Sequence, residues 1–130
     1  MGIQSVDHFE LVVSDVTRAI DFYKGLGFDV DEGTDRGDSK RRPVLKIGPA
    51  QQINIVSPEF VKGLGREVTA GGAHFCLVWN GTMEEVVSSL SSRGVTPRRG
   101  PVSVAGSKGQ ATSVYFNDPD DNSVEIMVYG

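Results

Sequence analysis

Cysteine, tryptophan and histidine are nearly absent: one, one and two in 130 residues. The lone Cys76 has no partner for an intrachain disulfide, which fits a reducing, cytoplasmic setting. Long hydrophobic runs are missing as well. The longest uninterrupted apolar stretch is the five residues Phe75 to Trp79, against the roughly 20 a membrane helix needs. The N-terminus shows no basic segment leading into an apolar one, so no signal peptide is expected. Positive charge is in deficit, with 13 Lys and Arg against 17 Asp and Glu and a net charge of −4. The pI of about 5.1 and the lack of a basic stripe exclude nucleic acid as an expected partner. What remains is an ordinary globular balance, 38% hydrophobic and 23% charged, long enough for one self-folding domain. Sixteen glycines announce many turns between short strands.

The two histidines organise the rest. His8-Phe9-Glu10-Leu11-Val12 and His74-Phe75-Cys76-Leu77-Val78 share the string His-Phe-x-Leu-Val, 66 positions apart, about half the chain. Each sits in a short run of strand-forming residues, so the chain reads as a two-fold internal repeat. In the first copy, residues 5–13 alternate: Phe9, Leu11 and Val13 on one face, His8, Glu10 and Val12 on the other. A helix follows, N-capped by Ser14 or Asp15, with Val16, Ala19, Ile20 and Tyr23 as its apolar stripe and Gly25 or Gly27 as its stop. Strands are predicted from Phe28 to Val30, Val44 to Ile47 and Gln51 to Val56. Between the first two, residues 31–42 read as a mobile loop able to act as a lid.

Residues 57–72, with Pro58 and four glycines, read as a linker. The pattern then restarts with a strand at His74 to Trp79. Thr82-Met83-Glu84-Glu85 has capping-box spacing, and Met83, Val86, Val87 and Leu90 form a stripe stopped at Gly94. A strand near 95–98, a loop from Gly100 to Gly109, and strands at 112–116 and 123–129 complete the copy. The expected organisation is one domain, 1–130, with module one at 1–57, a linker at 58–72 and module two at 73–130. Each module has the order βαβββ, an α+β fold.

In the last strand Val124, Ile126 and Val128 share a face, leaving Glu125 on the other. A lone Glu in a strand is ordinarily a solvated one. His8, His74 and Glu125, however, each lie opposite the helix-packing side of their strand. Were the sheets to join in one curved surface, two imidazoles and a carboxylate would face one divalent metal, the donor set of catalytic His₂Glu sites and of the facial triad.

These features resemble the vicinal oxygen chelate superfamily, which includes glyoxalase I, fosfomycin-resistance proteins, extradiol dioxygenases and bleomycin-resistance proteins. The markers are Asp7-His8-Phe9, Ala19-Ile20-Asp21-Phe22-Tyr23 with Leu26-Gly27-Phe28, Gly72-Ala73-His74-Phe75, and Tyr115-Phe116-x-Asp118-Pro119-Asp120-x-Asn122-x-Val124-Glu125. The resemblance implies two βαβββ modules forming a cup-shaped mixed sheet around a metal site. His8, His74 and Glu125 would hold one ion of Fe, Mn, Ni, Co or Zn. Where glyoxalase I carries a further metal-binding glutamate, this chain has Asn54, which cannot act as a base. Asp121 replaces the usual glycine of the Asp-Pro-Asp-Gly turn and tolerates the left-handed backbone that turn requires.

Other candidates follow from strand parity. Glu10 shares the face of His8 and reads either as a general base or as a salt-bridged surface acid. Cys76 stands in the same relation to His74 and reads as a small core thiol. Tyr115 is a candidate donor to an oxyanion, with Phe116 as the alternative in an ambiguous register. Asn54, Ser107 and Lys108 are candidate substrate contacts, the last two in the loop Gly106-Ser107-Lys108-Gly109. The expected function is a divalent-metal-dependent glyoxalase/dioxygenase-like enzyme. It would chelate a small oxygenated substrate and stabilise an enolate or oxyanion, as a lyase, transferase or ring-cleaving dioxygenase. The alternative is a non-catalytic, antibiotic-sequestering protein of the bleomycin-resistance type. A homodimer is expected, with no membrane partner.

Overall fold

Alternating apolar residues and well-capped helices set the frame. The computed structural model describes residues 1–37 and 39–130. The order is β1 (His8–Val12), α1 (Val16–Gly25), β2 (Asp29–Asp31), β3 (Val44–Ile47), β4 (Gln51–Val56), α2 (Pro58–Gly63), β5 (His74–Val78), α3 (Met83–Ser92), β6 (Arg99–Gly106), β7 (Gly109–Asn117) and β8 (Ser123–Tyr129). The chain divides into two units, Met1–Gly71 and Gly72–Gly130. Each holds its own four-stranded mixed sheet, in the orders β1-β4-β3-β2 and β5-β8-β7-β6. The orders are identical once the repeat is aligned, with β1 parallel to β4 and β5 parallel to β8. Two α+β modules of βαβββ type are therefore present.

In the first unit, Asp15 caps α1 by accepting from the Arg18 backbone N–H at 2.9 Å. The helix ends as its glycine requires: Gly27 at φ +93° lets its own N–H reach Lys24 O and that of Phe28 reach Tyr23 O, both at 3.0 Å. That is the Schellman pattern, and the Tyr23 and Phe28 rings meet edge to face at 5.2 Å as its apolar lock. The second unit repeats the device. Thr82 and Glu85 form the capping box of α3, and Gly94 and Val95 return to Ser91 O and Leu90 O at its end. α1 packs on β2 and β4, and α3 on β7 and β8. Val16, Ala19, Ile20 and Tyr23 are buried in the first unit with Leu11, Leu45, Ile53 and Ile55. Val86 and Leu90 are buried in the second with Val114, Phe116 and Val124. Each such side chain contributes roughly 1.5–3 kcal/mol of burial free energy.

Several expectations change. Residues 57–72 are no plain linker: they belong mostly to the first unit and carry α2, capped by the Ser57 hydroxyl on Phe60 N at 3.1 Å with Pro58 in the first turn. Proline breaks helix interiors but suits their first residue, where its missing N–H has no partner to lose. The strand expected near 95–98 begins instead at Arg99, and the loop expected from Gly100 to Gly109 is largely β6. Val102 and Val104 alternate there, and the glycines mark a register shift between Arg99 and Val102 rather than a break. Phe9, assigned to the face covered by the helix, stays 38% exposed because β1 is an edge strand. In the loop 31–42, Asp31 closes β2 and Asp38 lies outside the described residues. The rest of that loop is tethered by Arg41, buried and donating through Nε to Glu32 O at 3.1 Å.

Candidate functional site

The polar face of the second sheet gathers the chemistry. Register places Cys76 on β5, Glu125 on β8, Tyr115 on β7 and Arg99 on β6 in one row across the four strands. Residues in register on one face have neighbouring side chains. The adjoining row holds His74, Ser123 and Asn117. The ambiguity over residues 112–116 is thereby resolved: Tyr115 faces Glu125, and Phe116 is buried in the core.

Glu125 is the centre. It is buried, and its Oε2 accepts from the Ser113 hydroxyl at 2.7 Å. Tyr115 and Cys76 flank it in register on the neighbouring strands. His74 Nε2 lies 3.4 Å from its Oε1. Cys76 is exposed and not the core thiol expected, because its side chain lies on the polar face of β5. Desolvation first and then the Glu125 charge push its thiol up to about 12, so it is un-ionised at neutral pH and a poor nucleophile. Tyr115 is raised too, by burial and then Glu125, with Arg99 opposing. Its hydroxyl therefore keeps its proton.

A hub fixes this pair. In the β7–β8 turn, Asp118 Oδ1 accepts from the N–H groups of Asp120 and Asn122, both at 2.9 Å. Its Oδ2 takes the Asn122 amide at 2.9 Å. Asp121 sits at φ +65°, as expected for the residue standing in for glycine. Asn122 Oδ1 reaches across to Ala73 N at 3.0 Å, and Ser123 N donates to Ala73 O at 2.9 Å. The Asp-Pro-Asp-x-Asn motif thus clamps the start of β5 to that of β8, which brings His74 against Glu125.

Both histidines hold Nδ1 against an oxygen. His74 Nδ1 lies 3.0 Å from Ser123 Oγ, which also accepts from Arg98 Nη2 at 2.9 Å. His8 Nδ1 lies 2.7 Å from Asp7 Oδ1. A carboxylate only accepts, so the Nδ1 of His8 that faces Asp7 carries a proton and Nε2 points away from that contact.

On the first sheet, Glu10 and Asn54 are in register, the positions that Cys76 and Glu125 occupy in the second. Asn54 therefore stands where the repeat puts a carboxylate. It is buried, and its Oδ1 accepts from Gln52 Nε2 at 2.8 Å. Glu10 is ion-paired with Arg66, the salt-bridged alternative of the two readings. Ser107 and Lys108 lie in the β6–β7 turn, where Lys108 N donates to the Tyr129 hydroxyl at 3.1 Å. Tyr129 is four residues along β8 from Glu125, about 13 Å at the strand rise, so this turn is not brought to the Glu125 cluster. Sequence reasoning missed Ser113, Ser123, Arg98 and Arg99. Ser113 was within reach, being two residues before Tyr115 on the same strand face.

No group of three or more His, Cys, Asp or Glu placed to grip a metal is found among the described residues. The second unit supplies two donors with suitable spacing. Donors about 2.1 Å from one ion at a tetrahedral angle lie about 3.4 Å apart, the separation of His74 Nε2 and Glu125 Oε1. The pair fits a metal as two of its ligands. No helix among the described residues is long and apolar enough to cross a membrane.

Known proteins share this fold. Virulence protein STM3117 of Salmonella typhimurium is 34% identical over 131 residues, covering 99% of this chain and 87% of that protein. Its crystal structure superposes with a TM-score of 0.80 over the whole of both chains. An integron cassette protein from V. cholerae gives a TM-score of 0.81 at 30% identity, covering 100% of this chain and 98% of its own. TnmS3, an antibiotic binding protein from Streptomyces sp. CB03234, shares the fold with a TM-score of 0.77 at 24% identity over 100% and 99% of the two chains. The family model of the Glyoxalase/Bleomycin resistance protein/Dioxygenase superfamily matches residues 5–126. With its two βαβββ modules and a match over nearly its whole length, the chain belongs to that superfamily.

Proposed function

We propose that this protein is a divalent-metal-dependent enzyme acting on a small oxygenated molecule, with His74, Glu125 and His8 as the metal's protein ligands. The observation that carries the reading is the 3.4 Å approach of His74 Nε2 to Glu125 Oε1 on two strands clamped by Asn122. His8 is the third ligand, contributed by the same chain or by a second copy. Its Nδ1 contact with Asp7 leaves Nε2 available, as a ligand needs. A bound ion of Fe, Mn, Ni, Co or Zn would act as a Lewis acid towards two oxygens of the substrate.

The chain's own groups do the rest. Tyr115, held in its protonated form, donates to oxygen charge as it develops. Asn54, whose Oδ1 is already engaged by Gln52, offers its amide N–H₂ as a further donor. Glu10 steadies β1 through Arg66 rather than moving a proton. Lyase, transferase and ring-cleaving dioxygenase chemistry all draw on this set of parts.

The test is elemental analysis of chelator-free protein beside His8→Ala, His74→Ala and Glu125→Ala. The expected result is near one metal per chain, lost in all three variants while circular dichroism stays unchanged. A second reading, a ligand-sequestering protein without catalysis, is favoured by one observation: the Ser113 hydroxyl and His74 Nε2 already engage the two oxygens of the Glu125 carboxylate. Absence of metal, with none taken up when Fe²⁺, Mn²⁺, Ni²⁺, Co²⁺ or Zn²⁺ is added, would select that reading.

A further inference from the structure

Two consecutive residues of a strand ordinarily point to opposite faces. Arg98 lies just before β6 and Arg99 opens it, so the pair is not bound by that alternation. The Arg98 guanidinium carbon lies 5.7 Å from the centre of the Tyr115 ring and that of Arg99 lies 5.5 Å from it. A register shift follows directly, between Arg99 and Val102 at the start of β6, and a bulge re-aims the side chains beside it. Glycine makes that shift possible. Gly100 sits at φ +93°, and a Cβ there would stand 2.5 Å from Ser113 O, so no other residue lets the strands approach this closely. The result is a pair of guanidinium groups gathered at one tyrosine, in the row that contains Glu125 and next to the ring of His74, which stacks on Tyr115 at 6.3 Å.

The two arginines are differently employed. Arg98 is occupied: Nη2 holds Ser123 and Nε donates to Asn117 Oδ1 at 3.3 Å. The Arg99 side chain has no hydrogen-bond or ion-pair partner among the described residues, and the residue is exposed. An exposed arginine alone is ordinary surface. This one lies in register with Tyr115, which in turn is in register with Glu125. At the 4.7–4.9 Å strand spacing its backbone is about 10 Å from that of Glu125. A guanidinium presents a planar fork that matches the two oxygens of a carboxylate or the oxygens of a phosphoryl group.

We infer that Arg99, flanked by Arg98, receives the anionic oxygen group of a small ligand, a carboxylate or a phosph(on)ate, whose other end lies at His74 and Glu125. This names a substrate class for the site proposed above and rests on that reading only for the ligand's other end. The ligand is short and bifunctional, with oxygen donors at one end and an anion at the other.

The test is a titration of the full ¹⁵N-labelled chain with phosphonoacetate, followed at the Arg99 Nε–H resonance, with and without Zn²⁺. Acetate and inorganic phosphate serve as the single-function arms that separate carboxylate from phosph(on)ate recognition, and triethyl phosphonoacetate is the uncharged control. The expected result is a saturable shift of the Arg99 resonance that weakens with added salt and is missing with the ester. Arg99→Ala should reduce affinity about ten-fold, and Arg99→Lys, which keeps charge but loses the fork, should lie between. Equal affinity in wild type and Arg99→Ala, or an unmoved Arg99 resonance, overturns the inference. Zn²⁺ uptake, read in the same samples with His74→Ala as control, fails or succeeds independently: phosphonoacetate binding that needs Arg99 in a chain that takes no Zn²⁺ keeps this inference and removes the metal.

Discussion

Ser123 shows how much one hydroxyl decides. Its Oγ accepts from Arg98 and faces His74 Nδ1. In the metal-free protein its hydrogen is free to turn towards Nδ1, which leaves the proton of a neutral imidazole on Nε2, directed at Glu125. A metal on Nε2 requires the other tautomer, with Nδ1–H donating to Ser123 Oγ. One rotor serves both states, and partners of this kind set ligand orientation and basicity. Ser123→Ala is therefore expected to weaken Zn²⁺ or Ni²⁺ binding by about 10–100-fold without unfolding the chain. Isothermal titration measures that, and two-bond ¹H–¹⁵N spectra of a protein with only two histidines report the tautomer directly. Unchanged affinity would reduce Ser123 to a surface contact of Arg98.

Among the elements, the β7–β8 turn carries the most consequence for its size. Asn122 is buried and joins three segments through Asp118, Ala73 and its own backbone. Asn122→Ala leaves the Asp118 carboxylate and the Ala73 N–H each short of a partner, an expected loss of about 1–3 kcal/mol. Urea denaturation measures this, and the same variant should bind metal more weakly because β5 is released from β8. A variant as stable as wild type would mean that the strand ladder alone holds His74 in place. The Asp-Pro-Asp-x-Asn string was legible in the sequence as a turn. Its reach to Ala73, 49 residues away, was not, because side-chain bonds across a sheet leave no trace in local spacing. The misplacement of β6 has a related cause: Gly100, Pro101 and Gly106 look like punctuation when read locally, and only pairing with β7 makes them strand.

For the whole molecule, Phe9 on the edge strand β1 and Val6 just before it are exposed, at 38% and 62%. Apolar side chains on an unpaired edge invite another chain. The chain is expected to run in solution as a homodimer, at twice 14.0 kDa by light scattering. Phe9→Glu should shift it to monomer; a monomeric wild type at millimolar concentration would dispose of the dimer. The repeat, a glycine stop for each helix (Gly25 or Gly27, and Gly94), the parity of His8, His74 and Glu125, and the βαβββ order were all legible in the sequence alone. They depend on periods of 2 and 3.6 residues and on the conformational freedom of glycine, which act within a few residues. Tertiary structure decided the rest: that Tyr115 rather than Phe116 faces Glu125, that Ser113 holds its carboxylate, that Glu10 is committed to Arg66, and that two successive arginines meet at one ring. Those outcomes depend on register between strands distant in the chain, and register is set by the packing of whole sheets.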